Sequence, residues 1–134
     1  MIGVAQIAAV IAAIVHIVVF ALEALVFTRP SVHRGVFGVP TDDVPAVRLW
    51  AFGVGFYNLF IGAGMVVGLV LWWSGHETPG RTLVIYLSIF MFLSGLVLLV
   101  ADRMALGRER GAGLWGSVGQ AGPPFVALLA LAVG

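Results

Sequence analysis

Four long apolar segments dominate the sequence and restrict what the chain can fold into. They cover about residues 2–27, 49–73, 82–101 and 114–133, and each contains roughly 20 to 26 residues. As α-helices rising about 1.5 Å per residue, such segments can cross the roughly 30 Å hydrocarbon core of a bilayer. The sequence therefore predicts an all-α integral membrane four-helix bundle, built as a single domain over residues 1–134.

The composition excludes several classes of protein. Only 10% of the residues are charged and 61% are hydrophobic, whereas a soluble domain carries about 25% charged residues. The net charge of +1 supplies no basic surface for nucleic acid. The chain has neither cysteine nor lysine, which excludes thiolate chemistry, iron–sulfur clusters and lysine Schiff bases. We expect no cofactor and no nucleic-acid partner; the expected partners are the lipid bilayer and a lipophilic small molecule.

The arginines are distributed unevenly between the two ends of the predicted bundle. Six lie in the two longer loops, and the seventh, Arg81, lies at the opposite end. Because arginine-rich loops stay in the cytoplasm, we expect loops 28–48 and 102–113 to be cytoplasmic and both termini to lie outside. The arginine-only, alanine-, glycine- and valine-rich composition is typical of GC-rich bacteria, so we predict a multi-pass protein of the bacterial inner membrane.

Gly64 and Gly68, in GxxxG spacing, offer a surface for a homo-oligomer.

Polar residues inside the predicted spans are the most informative positions. Burying an Asp at the centre of a spanning helix costs at least about 2.5 kcal/mol. His16 and Glu23 lie seven residues apart and therefore share one face of the first helix. Other polar and aromatic residues of the four helices fall at a similar depth, so we expect one cavity in the cytoplasmic half of the bundle. The groups at this depth are Glu23, Trp50, Tyr57, Asn58, Asp102 and Gln120, with His16 near the midplane.

Each of these residues also has an ordinary structural interpretation, and the sequence leaves both open. Glu23 can be a helix-end acid paired with an arginine of the first loop, and His16 can be a satisfied core histidine. Asp102 can form a plain ion pair with Arg103, while the amides and aromatic rings can serve helix packing. His16 and Glu23 supply only two metal ligands, fewer than a catalytic zinc site needs, so no metal site is expected. His33, in the first loop, is expected to be solvated.

Several short motifs resemble a known family. They are HIVVFALE at residues 16–23, RGVF at 34–37, GFYNLF at 55–60 followed by AG at 63–64, and Gln120 with Pro123. Together they resemble the small bacterial membrane proteins catalogued as domain of unknown function 1304, over most of the chain. The sequence departs from that family at residues 52–54, where FGV stands in place of the usual Asn-Gln pair. The resemblance implies a four-helix membrane protein and no particular activity; a looser likeness is to small integral-membrane terpene cyclases.

The chemistry of the expected cavity leads to a functional hypothesis. A carboxylic acid in a poorly hydrated site can stay neutral and act as a general acid, and aromatic faces can stabilise a carbocation. We therefore predict an acid-initiated cyclase or isomerase that acts on an isoprenoid, for example by opening an epoxide. Glu23 is the expected proton donor, and His16 or Asp102 would orient it or accept the final proton. The expected substrate-binding residues are Phe20, Trp50, Phe56, Tyr57, Asn58, Phe60 and Gln120.

Two other classes of function fit the same sequence. Four short helices with one acid in the first are typical of proton-coupled small-multidrug exporters, although the strong arginine bias predicts a single orientation, which that class often lacks. A non-enzymatic membrane assembly protein is the third hypothesis. For that function the GxxxG face would matter more than Glu23.

Overall fold

The computed structural model describes residues 1–133 and contains five α-helices in that range. Helix α1 (Ile2–Phe20) continues into a π-helical segment (Ala21–Leu25), and the short α2 (Pro30–His33) and a 3₁₀ turn (Thr41–Asp43) follow. The remaining helices are α3 (Val44–Trp73), α4 (Glu77–Arg103) and α5 (Leu114–Ala132). No β-strand occurs in residues 1–133, which confirms the all-α prediction.

Four helical segments are long and apolar enough to cross a membrane, as the sequence predicts. They are Ile2–Leu25, Thr41–Trp73, Glu77–Arg103 and Leu114–Ala132. The predicted start of the second helix at residue 49 is wrong, because α3 begins at Val44 and includes Pro45 in its first turn. Proline is tolerated there, since the first-turn N–H groups have no helical partner. Helix α4 also extends beyond the predicted 82–101 at both ends.

The four long helices pack as a ring. Helix α1 contacts α3 and α5, and α4 contacts the same two helices, whereas contact across the α1–α4 diagonal is sparse. Both termini and the turn at residues 74–76 lie at one end of this ring, here called the terminal end. The segments 26–43 and 104–113 lie at the other, here called the long-loop end. Contact is sparse across the α3–α5 diagonal as well, so space for cavities remains inside the ring.

Packing is dense in the half of the bundle nearer the terminal end. Small side chains of α1 lie against larger ones of α3 and α4, which close the space between the helices. The buried cluster comprises Ala9, Ala12, Ala13, Met65, Leu69, Trp72, Val84 and Met91. No comparable cluster of buried aliphatic residues fills the long-loop half among residues 1–133.

The outer surface of the bundle is apolar. In the most hydrophobic stretch of each span, only 22–33% of the residues are buried within the chain. The exposed remainder is rich in Ile, Val, Leu and Phe, which a water-facing surface could not accommodate at this density. Bilayer lipid is the environment that matches such a surface, so the chain is an integral membrane protein.

Glycines of α3 allow close helix packing within the chain. A Cβ added at Gly62 would lie 3.0 Å from a side-chain carbon of Ile17 in α1. A Cβ at Gly68 would lie 3.0 Å from Leu83 in α4, and one at Gly64 would lie 3.2 Å from Leu87 in the same helix. The GxxxG pair therefore contacts α4 of the same bundle, and a homo-oligomer through α3 stays a prediction.

The sidedness of the bundle can be tested with single cysteines, because the chain has none of its own. Ser31 in α2 and Ser74 after α3 are both exposed and lie at opposite ends of the bundle. From the arginine distribution we expect a membrane-impermeant maleimide to label Ser74→Cys in intact cells and Ser31→Cys only after permeabilisation. Labelling of Ser31→Cys in intact cells, with Ser74→Cys protected, would show the opposite orientation.

Candidate functional site

Glu23 lies in the π-helical segment that ends the first span. The Val26 N–H donates to the Ala21 carbonyl oxygen at 3.1 Å, five residues back instead of four. Such π segments are rare and are frequently found at functional sites. Opposite this segment, α3 has Gly55, where an added Cβ would lie 3.1 Å from both Ala24 and the Glu23 Cβ. The absence of a side chain at Gly55 therefore lets α3 approach the backbone that carries Glu23.

The Glu23 carboxyl group is held by an amide from the neighbouring helix. Asn58 Nδ2 donates to Glu23 Oε2 at 2.9 Å and also lies 3.2 Å from the Val54 carbonyl oxygen. Within residues 1–133, Oε1 accepts no hydrogen bond and no arginine lies within ion-pair distance of Glu23. The structure thus shows an interhelical hydrogen bond at Glu23 and not the alternative ion pair with a first-loop arginine.

Three cavities of about 380, 340 and 260 Å³ surround this carboxyl group. Glu23 and Leu98 line all three. The first lies mainly between α3 and α4, the second extends to the long-loop end, and the third lies between α1 and α5. Their volumes lie near or within the roughly 300–1,000 Å³ typical of small-molecule sites. The long-loop half of the bundle is therefore hollow around Glu23, whereas the terminal half has a filled core and a groove of about 350 Å³ along its outer surface beside Ile7 and Trp73.

His16 is buried and lines the 380 Å³ cavity together with Glu23. Its Nδ1 atom lies 2.9 Å from the carbonyl oxygen of Ala12, one helical turn earlier. A carbonyl oxygen only accepts, so Nδ1 carries the proton in this hydrogen bond. In the neutral ring, Nε2 then remains as an acceptor. His16 is thus both a satisfied core residue and a lining residue of the cavity.

Asp102 has a mainly structural set of partners. Its carboxylate oxygens accept the backbone N–H groups of Gly111 at 2.9 Å and Gly113 at 2.6 Å. Arg108 Nε lies 4.0 Å from Oδ1, so the ionic contact is with Arg108 and not with the expected Arg103. Asp102 lines the 340 Å³ cavity, but its oxygens are engaged in holding the last loop against the end of α4. We therefore assign it a positioning role.

The structure brings together only some of the predicted substrate-binding residues. Tyr57, Asn58 and Gln120 line the 380 Å³ cavity, and Trp50 lines the 340 Å³ cavity. Three predicted phenylalanines line none of these cavities and instead form an outer aromatic cluster with Phe52. Their ring centroids are 5.1 Å apart for Phe20–Phe56, 5.0 Å for Phe52–Phe56 and 6.1 Å for Phe56–Phe60.

Other lining residues were missed by sequence reasoning. Phe27 and Phe37, 5.6 Å apart, contribute rings to the cavity at the long-loop end. Phe90 lines the 380 Å³ cavity from α4, and Arg108 lines the other two cavities. Phe37 lies in the RGVF motif, which was a signal available in the sequence.

The expectation that His33 is solvated is wrong. This side chain is buried, and its Nδ1 atom lies 2.8 Å from the Val39 carbonyl oxygen, so it helps to close the first loop.

No group of three His, Asp or Glu side chains within residues 1–133 is placed to hold a metal ion. The cavities are lined by two carboxyl groups, of which that of Asp102 is engaged by backbone N–H groups, and by one imidazole, two side-chain amides, several aromatic rings and one arginine. This set can exchange protons and bind an apolar molecule.

The profile of the family described as "Protein of unknown function (DUF1304)" matches residues 10–132, and the chain belongs to that family. The match confirms the resemblance carried by the motifs from HIVVFALE to Pro123. No curated protein and no solved structure matches the chain. The looser likeness to terpene cyclases has no support from these comparisons.

The positioning role of Asp102 predicts a local effect of its removal. Asp102→Ala leaves the N–H groups of Gly111 and Gly113 without their acceptor, so the loop should open more often. We expect amide hydrogen exchange in residues 109–113 to become faster, on the order of tenfold. Asp42→Ala, at an exposed position, should leave this exchange unchanged. Equal exchange rates in wild type and Asp102→Ala would contradict the assignment.

Proposed function

We propose that this chain is a membrane-embedded enzyme that isomerises or cyclises a lipophilic, isoprenoid-like substrate by protonating it from Glu23. The observation that carries the proposal is the carboxyl group of Glu23 at the junction of three largely apolar cavities, with Asn58 on one oxygen and the other oxygen unbonded within residues 1–133. An intramembrane acid is costly and is usually retained for function.

The openings of the cavities favour a substrate that arrives from the lipid phase. Val54, Tyr57 and Val97 line the 380 Å³ cavity and are each substantially exposed on the outer surface of the bundle. That surface faces lipid, so the cavity opens sideways between α3 and α4. A prenyl chain dissolved in the bilayer can reach Glu23 by this route without crossing water.

The proposed reaction conserves protons overall. The Glu23 carboxylic acid transfers its proton to an alkene carbon or an epoxide oxygen of the substrate, and a carbocation develops as the π bond is consumed or the C–O bond breaks. The cation then rearranges or is attacked by another double bond within the substrate. Loss of a proton to the Glu23 carboxylate, or to His16 Nε2 with subsequent return to Glu23, forms the product alkene and restores the acid.

Aromatic rings around the acid support the carbocation step. Tyr57 and Phe90 line the cavity between α3 and α4, while Phe37 and Trp50 line the cavity at the long-loop end. A cation over such a ring gains about 0.5–2 kcal/mol from the quadrupole of the ring. The apolar walls also keep water away from the cation, which would otherwise be trapped as an alcohol.

A proton-coupled exporter is the second candidate, because the same acid can bind a proton and a cationic solute in turn. The observation that favours it is the exposure of Glu23 to separate cavities, between α3 and α4 and between α1 and α5. The dense Ala, Met and Leu packing of the terminal half opposes it, since no cavity around Glu23 extends through that half in residues 1–133. Enzymatic turnover remains the function that the geometry supports better.

The central test is the Glu23→Gln variant. Glutamine keeps the size and a hydrogen-bonding oxygen for Asn58 but has no proton to transfer. We expect turnover of prenyl alkenes and terminal prenyl epoxides, measured by gas chromatography and mass spectrometry with protein in nanodiscs, to fall by about 10²–10⁴-fold. The thermal unfolding temperature should stay within a few degrees of the wild-type value.

The matched control is Glu77→Gln, which removes an exposed acid that pairs with Arg81 at 3.3 Å near the terminal end. This variant should turn over substrate at the wild-type rate. Full activity of Glu23→Gln would contradict the proposal, as would a wild-type protein that converts none of the panel. Glu23-dependent efflux of a cationic dye from proteoliposomes would instead support the exporter.

A further inference from the structure

Arg108 occupies a defined position between two loops at the long-loop end of the bundle. A Cβ added at Gly38, whose φ is +68°, would lie 3.7 Å from both Cβ and Cδ of Arg108. On the other side, a Cβ at Gly113 would collide with the guanidinium group. The first loop thus packs against the aliphatic stem of Arg108, and Gly113 leaves the space that its charged end fills. Two residues without side chains therefore fix where this cation lies.

The guanidinium group of Arg108 is mostly buried, yet it has few polar partners in the protein. The Arg108 side chain is only 19% exposed, and its one ionic contact, Nε to Asp102 Oδ1, is long at 4.0 Å. None of its N–H groups donates a hydrogen bond to a protein acceptor within residues 1–133. Guanidinium groups have five N–H donors and match oxyanions bidentately. Asp102 cannot serve as such a partner at this distance, and both of its oxygens already accept backbone N–H groups.

Arg108 and Glu23 line the same two cavities. One of these cavities, of about 340 Å³, is lined by Phe27, Phe37 and Trp50 in addition to the two charged residues. The other, of about 260 Å³, is lined on its α1 side by Val15, Val19 and Leu22. Apart from Glu23 and Arg108, the side chains of ionisable or amide type in the two linings are Asp102 and Gln120. Each cavity therefore joins a cation at the long-loop end to an apolar space that reaches the acid.

We propose that Arg108 binds the oxyanion headgroup, a phosphate or a carboxylate, of an amphiphile whose apolar chain lies in the cavities that meet at Glu23. This inference rests on the proposed function in one respect, because it identifies the amphiphile as the substrate. It narrows the substrate class from isoprenoid-like molecules in general to those with an anionic group at one end.

The arrangement suits such a molecule for two reasons. The headgroup stays at the end of the bundle, where the loops meet water and the fork of Arg108 can bind two of its oxygens. The chain extends from there into apolar surroundings, so the atoms that Glu23 protonates lie along the chain and away from the charge. Binding of the headgroup thereby fixes the register of the chain relative to the acid.

Binding in nanodiscs of zwitterionic phosphatidylcholine tests the proposal, because such a bilayer supplies no competing anionic lipid. The probes are farnesyl phosphate, farnesoic acid, farnesol and inorganic phosphate, each titrated against wild type and variants while tryptophan fluorescence is followed. We expect wild type to bind at least one of the farnesyl anions on the order of tenfold more tightly than farnesol. Inorganic phosphate alone should bind far more weakly, because it lacks the chain.

Variants assign the preference to Arg108. Arg108→Gln should bind farnesol as wild type does and lose the preference for the anions, whereas Arg108→Lys should retain part of it. Arg110→Gln, which removes an exposed arginine of the same loop, should keep the full preference. Equal binding of anions and farnesol by wild type, or an unchanged preference in Arg108→Gln, would overturn the proposal. So would inorganic phosphate binding as tightly as farnesyl phosphate.

The failure of this inference can be separated from failure of the proposed function. Glu23→Gln should keep the preference for anions, since it alters the acid and not the headgroup site. An anion preference that depends on Arg108, combined with no Glu23-dependent turnover, would leave the binding site standing and remove the enzymatic function. Glu23-dependent turnover of neutral prenyl substrates, with no preference for anions, would support the enzymatic function and contradict the headgroup site at Arg108.

Discussion

The hydrogen bond from Asn58 to Glu23 links α3 to the end of the first span, and the arrangement of the hollow half of the bundle depends on it. A carboxyl group placed among apolar helices must find a polar partner or reach water. Here the partner is a neutral amide at 2.9 Å. Gly55 lets α3 pack closely against the π-helical segment, which brings the Asn58 amide within hydrogen-bond distance of the Glu23 carboxyl group.

The bundle divides into two halves with different physical roles. Near the terminal end, alanines of α1 pack against methionine, leucine and valine side chains of α3 and α4 and leave a filled core. Near the long-loop end, the same helices enclose cavities whose walls are largely apolar. Their charged, imidazole and amide groups belong to Glu23, His16, Asn58, Asp102, Arg108 and Gln120. The filled core of the terminal half fixes the spacing of the helices that enclose the cavities in the other half.

Much of the architecture follows directly from the sequence, because hydropathy and segment length report a bilayer environment with little ambiguity. The seven-residue spacing of His16 and Glu23 likewise places both on one face, and the structure shows both lining one cavity. Helix rotation is harder to predict. Phe56 and Phe60 lie close in sequence to Tyr57 and Asn58, yet they point to an outer aromatic cluster, because residues one or two positions apart project in different directions from a helix.

Loop residues were the hardest to predict. His33 is buried and Arg108 lines two cavities because the two longer loops fold back onto the helix ends, through glycine conformations and the backbone contacts of Asp102. Such long-range loop packing leaves no periodic pattern in a sequence. The π-helical turn at Glu23 also has no hydropathy signal, since its neighbours continue the apolar run.

Carboxyl modification by N,N′-dicyclohexylcarbodiimide tests most directly whether Glu23 is a proton-bearing acid open to lipophilic molecules. This apolar reagent reacts with protonated carboxyl groups, and peptide mass spectrometry locates the adduct. In nanodiscs at neutral pH, we expect an adduct on Glu23, with the exposed Glu77 and Glu109 unmodified. Modification of Glu77 and Glu109 with none at Glu23 would contradict it.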